Sequence, residues 1–228
     1  MSTEMSPAGR DPAAAAKLQI LATEHWSLLA TRSLTYTESL GRVNMFLAIL
    51  SGAVIALALV AQADRFGATF IGVAIVMLSV VFFTGVATVT RLTMLNRDDF
   101  RWVVGMNRLR HAYLELHPEL EPNFITSRYD DLPGAFQTLG IEITGGPRLG
   151  SIGHGLVTLP GMVSVIVAAV AGAIGALAAV AIGLPLLGVL LVGAGGFLLA
   201  GVLMGISRRR SFRGFGPSLE PRFPSPKT

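Results

Sequence analysis

Three stretches of this chain contain no charged residue: Arg42 to Asp64, Arg65 to Arg91, and Arg148 to Arg208, end residues excluded. A helix crosses the roughly 30 Å of bilayer hydrocarbon in about 20 apolar residues. The first two stretches fit one crossing each and the third fits two, with Gly183-Leu184-Pro185 placed to turn between them. The composition agrees. Charged residues make up 14% of the chain and the mean hydropathy is +0.61, where a soluble domain carries about 25% charge. Most glycines lie inside the apolar runs, where membrane helices tolerate them.

The expected fold class is therefore all-α, a four-span transmembrane helical protein with spans at 43–61, 68–90, 156–182 and 185–206. Lys and Arg mark the cytoplasmic side of short loops. Of the 18 cations, all but Arg65 fall before span one, between spans two and three, or after span four. Both termini and the central 118–155 loop are thus expected in the cytoplasm. The segment before Val43 has no apolar core of the kind a cleavable leader requires, so none is expected. The excess of cations also suits nucleic acid, but these arginines flank the spans, so orientation in the membrane accounts for them.

Asp11-Pro12 reads as a helix N-cap with proline at the first helical position. From Ala13 to Leu40 there is neither Gly nor Pro. A stripe of Ala22, Trp26, Leu29, Ser33, Tyr36, Leu40, Val43, Leu47 and Leu50 follows the 4-3 spacing of a helical seam. Lys17, Glu24, Thr31, Thr35, Glu38 and Arg42 form a polar row opposite, and Glu38–Arg42 is a favourable i,i+4 pair. After span two, Leu92, Leu95, Asp99, Trp102, Met106, Leu109, Tyr113 and Leu116 keep the same spacing until Pro118.

The expectation is a long antiparallel helical hairpin over 12–117, turning at 63–67. Its cytoplasmic extensions are 12–42 and 91–117, and each helix is about 75 Å long at 1.5 Å per residue. Trp26, Leu29, Tyr36, Trp102, Met106, Leu109 and Tyr113 would form the seam, with Leu29 near Trp102 and Tyr36 near Leu95. Residues 1–11 precede the first helix without forming an element. Prolines and glycines break up 118–155, apart from a short amphipathic stretch around Ala135–Ile143. The basic, Pro-rich tail 207–228 is expected to lack fixed structure after Arg213.

Candidate chemistry is thin. Gly145-Gly146-Pro147-Arg148-Leu149-Gly150-Ser151-Ile152-Gly153 lacks the Gly-Lys-Ser/Thr ending of a phosphate-binding loop and reads as an entry to span three. Asp98-Asp99 and Asp130-Asp131, with Glu119 and Glu121, do not match a calcium loop and read as solvated surface. His111 and Glu115 share a helix face, but a metal site needs three or four convergent ligands. His25, His117 and His154 add none on that face. With no cysteine there is no thiol chemistry, disulfide or thiolate metal site. The spans hold no ionisable residue, which argues against ion-coupled transport and leaves a passive pore open. No catalytic, cofactor-binding or metal residues are assigned, no cofactor is expected, and the chain reads as a non-enzyme.

Small residues in spans three and four supply the remaining signal. Ala168, Gly172 and Ala176 form one four-residue ladder, and Ala171, Gly175, Ala179 and Gly183 a second. Gly201 and Gly205 are a GxxxG pair. In lipid such ladders let helix backbones approach closely, and the doubled ladder is expected to leave one face for another copy of the chain.

Residues 18–43, with Leu21-Ala22-Thr23-Glu24-His25-Trp26-Ser27-Leu28-Leu29-Ala30-Thr31-Arg32, resemble uncharacterised bacterial multipass membrane proteins. The likeness extends to about Glu121, including Ala112-Tyr113-Leu114-Glu115. It implies a bacterial inner-membrane location and carries over no functional residue. The layout of a transmembrane hairpin with a cytoplasmic helical extension is also similar to two-span SLATT-type modules, proposed as pore-forming effectors. That likeness stops at the second pair of spans. The expected function is a self-associating membrane protein, either a passive pore or a scaffold, or else an accessory subunit docking through its cytoplasmic hairpin. Its expected partners are the lipid bilayer, further copies of itself and a protein at that hairpin, with no nucleic acid.

Overall fold

The structure is a computed structural model that describes residues 12–141, 158–213 and 220–226. Helix α1 runs Pro12–Asp64 and α2 runs Ala68–Leu116. A 3-10 turn, Pro118–Asn123, and a short helix α3, Leu132–Thr138, follow. Helices α4, Leu159–Ala181, and α5, Leu186–Arg213, complete the order. No strand occurs among the described residues. α1, α2, α4 and α5 are each long and apolar enough to cross a membrane.

The helix ends follow from local chemistry. α1 closes at Asp64, and Arg65 and Phe66 then take left-handed conformations, φ 47° and 62°. The Asp64 carboxylate accepts the Phe70 N–H at 2.7 Å, capping the first turn of α2. Between α4 and α5, Gly183 stands at φ +75°. Its N–H reaches the Val180 carbonyl, and the Leu184 N–H reaches that of Ala179. That Schellman closure needs a residue comfortable at positive φ. Thr158 caps α4 by accepting the Gly161 N–H.

Three boundaries differ from expectation. α3 begins at Leu132, ahead of the expected Ala135–Ile143, because Asp131 caps it and Pro133 sits in its first turn. Pro133 and Gly134 therefore start a helix here and do not break one. α5 continues to Arg213, past the expected end of span four at Ile206. Residues Ser207–Arg213 hold no Gly or Pro and four arginines, which are good helix formers and suit the negative end of the helix dipole. Glu220–Pro226, expected to lack fixed structure, is docked, as detailed below. The readings on residues 1–11, Gly145–Gly153, His154 and the start of span three at 156 lie outside the described residues.

The chain divides into two compact units. One comprises, of the described residues, 36–97 and 158–213. Its core joins Phe46 and Ala53 of α1, Leu78, Val81, Val89 and Leu92 of α2, and Val163, Val167 and Val170 of α4. Gly85 lets these helices close in, since a Cβ there would lie 2.5 Å from Val167 Cγ2 and 2.9 Å from the Phe46 ring. The other unit comprises, of the described residues, 12–35, 98–141 and 220–226. Phe100, Val103, Val104, Met106 and Leu114 of α2, with Ala135 of α3, are its buried apolar residues.

Candidate functional site

Between Trp26 and Gly41, α1 is built the opposite way round from a soluble amphipathic helix, whereas Lys17 and Glu24 before it are exposed. Between Trp26 and Gly41 the half-buried positions are Leu28, Thr31, Arg32, Thr35, Glu38 and Ser39. Every exposed position is uncharged: Trp26, Ser27, Leu29, Ala30, Ser33, Leu34, Tyr36, Thr37, Leu40 and Gly41. The charges face inward because α2 carries their partners. Arg32 Nε donates to Asp99 Oδ1 at 2.7 Å and Nη2 to Oδ2 at 3.4 Å. Glu38 accepts from Arg91 through both oxygens, at 2.9 and 3.0 Å, and from Arg42 at 2.9 Å. Arg91 first and Arg42 second hold the Glu38 carboxyl down at about 2.

These contacts correct the expected seam. Trp26, Leu29 and Tyr36 are 71%, 42% and 63% exposed. On α2, Met106 is buried and Trp102, Leu109 and Tyr113 are half-buried. α2 therefore turns its stripe inward and α1 does not. Leu28, from outside the stripe, reaches the α2 backbone, since a Cβ on Gly105 would stand 3.1 Å from its Cδ1. His25 stacks on Tyr113 at 5.9 Å, and burial, aided by Arg110, pushes its imidazole pKa down.

The small residues expected to serve oligomers pack within the chain. A Cβ on Gly172 would lie 2.9 Å from the Gly193 carbonyl oxygen and 3.2 Å from Phe197 Cβ. Gly175 faces the Val192 carbonyl, and Ala176 lies against Gly193. Ala168 and Ala179 are buried. The first ladder and the Ala171–Gly175–Ala179 part of the second are thus covered or half-covered within this chain, and only Gly183, in the turn after α4, stays exposed among these ladder residues. Gly201 lies beside Ala168, and Gly205 has open space around it.

Residues 98–141 and 220–226 form a second constellation that the sequence did not announce. Asn107 is fully buried. Its Nδ2 donates to the Tyr129 carbonyl at 2.7 Å, and its Oδ1 accepts from Thr138 Oγ1 at 3.0 Å and Arg110 Nη1 at 2.6 Å. Next to it, Asp130 has a side chain with no exposure and accepts from Arg108 Nε at 2.7 Å. Asp130 also accepts the N–H groups of Arg222 (2.9 Å) and Phe223 (2.8 Å). Asp131 accepts from Gly134 N at 2.9 Å, from Ser225 N at 2.8 Å and from the Ser225 hydroxyl.

Burial pushes both aspartates up, but the converging N–H, hydroxyl and guanidinium donors outweigh it and leave both below the usual carboxylate range. Asp130 is therefore a buried acceptor and Asp131 a half-buried one, contrary to the solvated surface expected. His111 stacks flat on Phe223, centroids 3.9 Å apart and 19° between planes. Its Nε2 stands 3.6 Å from Glu115. The signal that could have shown this was the proline spacing of the tail, Pro221, Pro224 and Pro226, which leaves only three N–H groups to satisfy. No protein family, curated protein or solved structure matches this chain.

Proposed function

We propose that the chain is a non-enzymatic scaffold of the bacterial inner membrane that self-associates through the outward face of α1. The observation that carries this is the inverted surface between Trp26 and Gly41, where Arg32 and Glu38 are half-buried against α2 while Trp26, Leu29, Leu34, Tyr36 and Leu40 are exposed. An exposed contiguous apolar surface marks an interaction site. The 4-3 spacing of Trp26, Leu29, Ser33, Tyr36 and Leu40 is self-complementary, because a second α1 presents the same knobs and holes. Covering such side chains is worth about 1.5–3 kcal/mol apiece.

The proposed topology has four crossings with both termini and the 118–155 loop in the cytoplasm. Support comes from one compact unit holding the start of α1, residues 98–141 and the 220–226 segment, as same-side placement requires. The Lys and Arg distribution assigns that side to the cytoplasm. The α1–α2 ion pairs favour an antiparallel hairpin standing in the cytoplasm over helices laid on the headgroups.

The chain has no cysteine, so single cysteines report without background. In native membranes, Leu29→Cys and Tyr36→Cys are expected to give disulfide-linked dimers, and Thr35→Cys on the covered face none. Monomers throughout would sink self-association, and a crosslinked adduct of foreign mass would favour the accessory subunit. An exported reporter should be active at Ala63 and Leu184 and silent at Pro133. The scaffold is expected to pass no solute in liposomes. Flux independent of a proton gradient would replace it with a passive pore.

A further inference from the structure

The 220–226 segment is held in the manner of a bound peptide. Between Pro221 and Pro226 the only backbone N–H groups belong to Arg222, Phe223 and Ser225. Each ends on a carboxylate oxygen of Asp130 or Asp131, at 2.9, 2.8 and 2.8 Å. The backbone carbonyls are read as well: the Asp130 N–H donates to that of Phe223 at 3.1 Å, and Arg108 Nη2 to that of Glu220 at 2.9 Å. Phe223 supplies the one ring, stacked on His111.

We infer that Arg108, His111, Asp130 and Asp131 form a peptide-binding site for extended, proline-spaced segments bearing one aromatic residue, and that this chain's own tail is its tethered occupant. Three features select that ligand class. Charge-assisted acceptors stand only where the segment has an N–H, and prolines fill the positions that have none. Proline also holds the segment extended, so little conformational entropy is lost on docking. A helical peptide would turn its N–H groups onto itself and leave the buried Asp130 carboxylate short of donors.

Part of the site's frame is held by groups outside the tail. Asp131 caps α3, and Asp130 is fixed by Arg108. Of the segment, only Phe223 and Ser225 are partly buried. The hold is thus a few hydrogen bonds and one ring, a contact that opens locally without unfolding the chain. Tethering raises the tail's effective concentration to the millimolar range, so the occupant excludes weaker ligands. The site is self-inhibited, and this inference stands apart from self-association.

The test uses the full chain in detergent and a fluorescent peptide, Glu-Pro-Arg-Phe-Pro-Ser-Pro. Phe223→Ala with Ser225→Pro disables the resident tail and leaves the site intact. The peptide is expected to bind this variant at least about ten-fold more tightly than wild type, by removal of the tethered competitor. A peptide N-methylated at Phe and Ser should bind at least about ten-fold more weakly, because two carboxylate contacts go unmade. That arm changes only the peptide, so no loss of fold in the protein can mimic it. Equal affinity for wild type and variant, indifference to methylation, or no binding to either protein would each overturn the inference.

Discussion

α4 against α5 and α1 against α2 solve the same problem, two long helices side by side, with opposite materials. α4 and α5 meet through Gly172, Gly175, Ala176 and Gly193, with backbone carbonyls close to the facing helix. Between residues 25 and 42, α1 instead meets α2 through ion pairs, a ring stack and half-buried threonines. The difference tracks composition: residues 159–207 carry no charge, whereas residues 25–42 of α1 and the facing part of α2 carry arginines and carboxylates. Where lipid surrounds the helices, apolar contact brings little gain over lipid itself, so close approach decides. Where water surrounds them, charges are tolerated at a half-exposed seam, and each such pair contributes about 0–1 kcal/mol. The ionic seam therefore sets register more than stability. Arg32 lies 31 residues before the 63–67 turn and Asp99 32 residues after it; Asp99 belongs to the expected α2 stripe, whereas Arg32 lies off the α1 stripe.

The comparison breaks most severely at Gly172. Gly172→Leu should cost about 3 kcal/mol or more by overpacking, and the loss should appear in thermal unfolding of the solubilised chain. Unfolding near the wild-type temperature would mean that α4 and α5 do not pack as described. Asn107→Leu comes next. It strands the Tyr129 carbonyl, the Thr138 hydroxyl and Arg110, and about 2–3 kcal/mol should be lost, read as a lowered midpoint in denaturant.

Acid sharpens the contrast between polar contacts. Asp130 and Asp131 have folded pKa values below their unfolded ones. Their contribution is thus fully present above the ordinary aspartate range and is lost as pH falls through the lowered values. A fluorophore on Glu220→Cys should report an immobile segment from pH 7 to about pH 4 and release only below that. Release on the alkaline side of that range would refute the carboxylate hold. Glu38, held down at about 2, should keep Arg42 and Arg91 paired throughout the pH 4–7 window.

The smallest effect on the fold is expected at the outward face of α1. Trp26→Ala with Tyr36→Ala removes exposed rings, so the monomer should change by no more than about 0.5 kcal/mol. The same pair should abolish the Leu29→Cys crosslink. A large loss of monomer stability would mean that these rings are packed within the chain.

Legibility differed by the range of the interaction involved. The small-residue ladders were legible as packing surfaces, but their partner, α5 of the same chain, was not. The four apolar helices and both turns follow from local composition, because lipid crossing demands length and an absence of charge that no distant contact supplies. The Glu38–Arg42 pair was readable for the same reason, as an i,i+4 neighbour on one helix. Heptad spacing also located two faces on α1, Trp26–Tyr36 and Thr31–Glu38. It was silent on which face α2 would cover, and only Arg91 and Asp99 across the seam made that choice. The Asp130–Asp131 pair looked like solvated charge until a segment some ninety residues later brought three N–H groups to it. Periodicity and composition are properties of a single element and survive in the sequence. Which faces meet depends on partners far along the chain, and that was decided only when the chain folded.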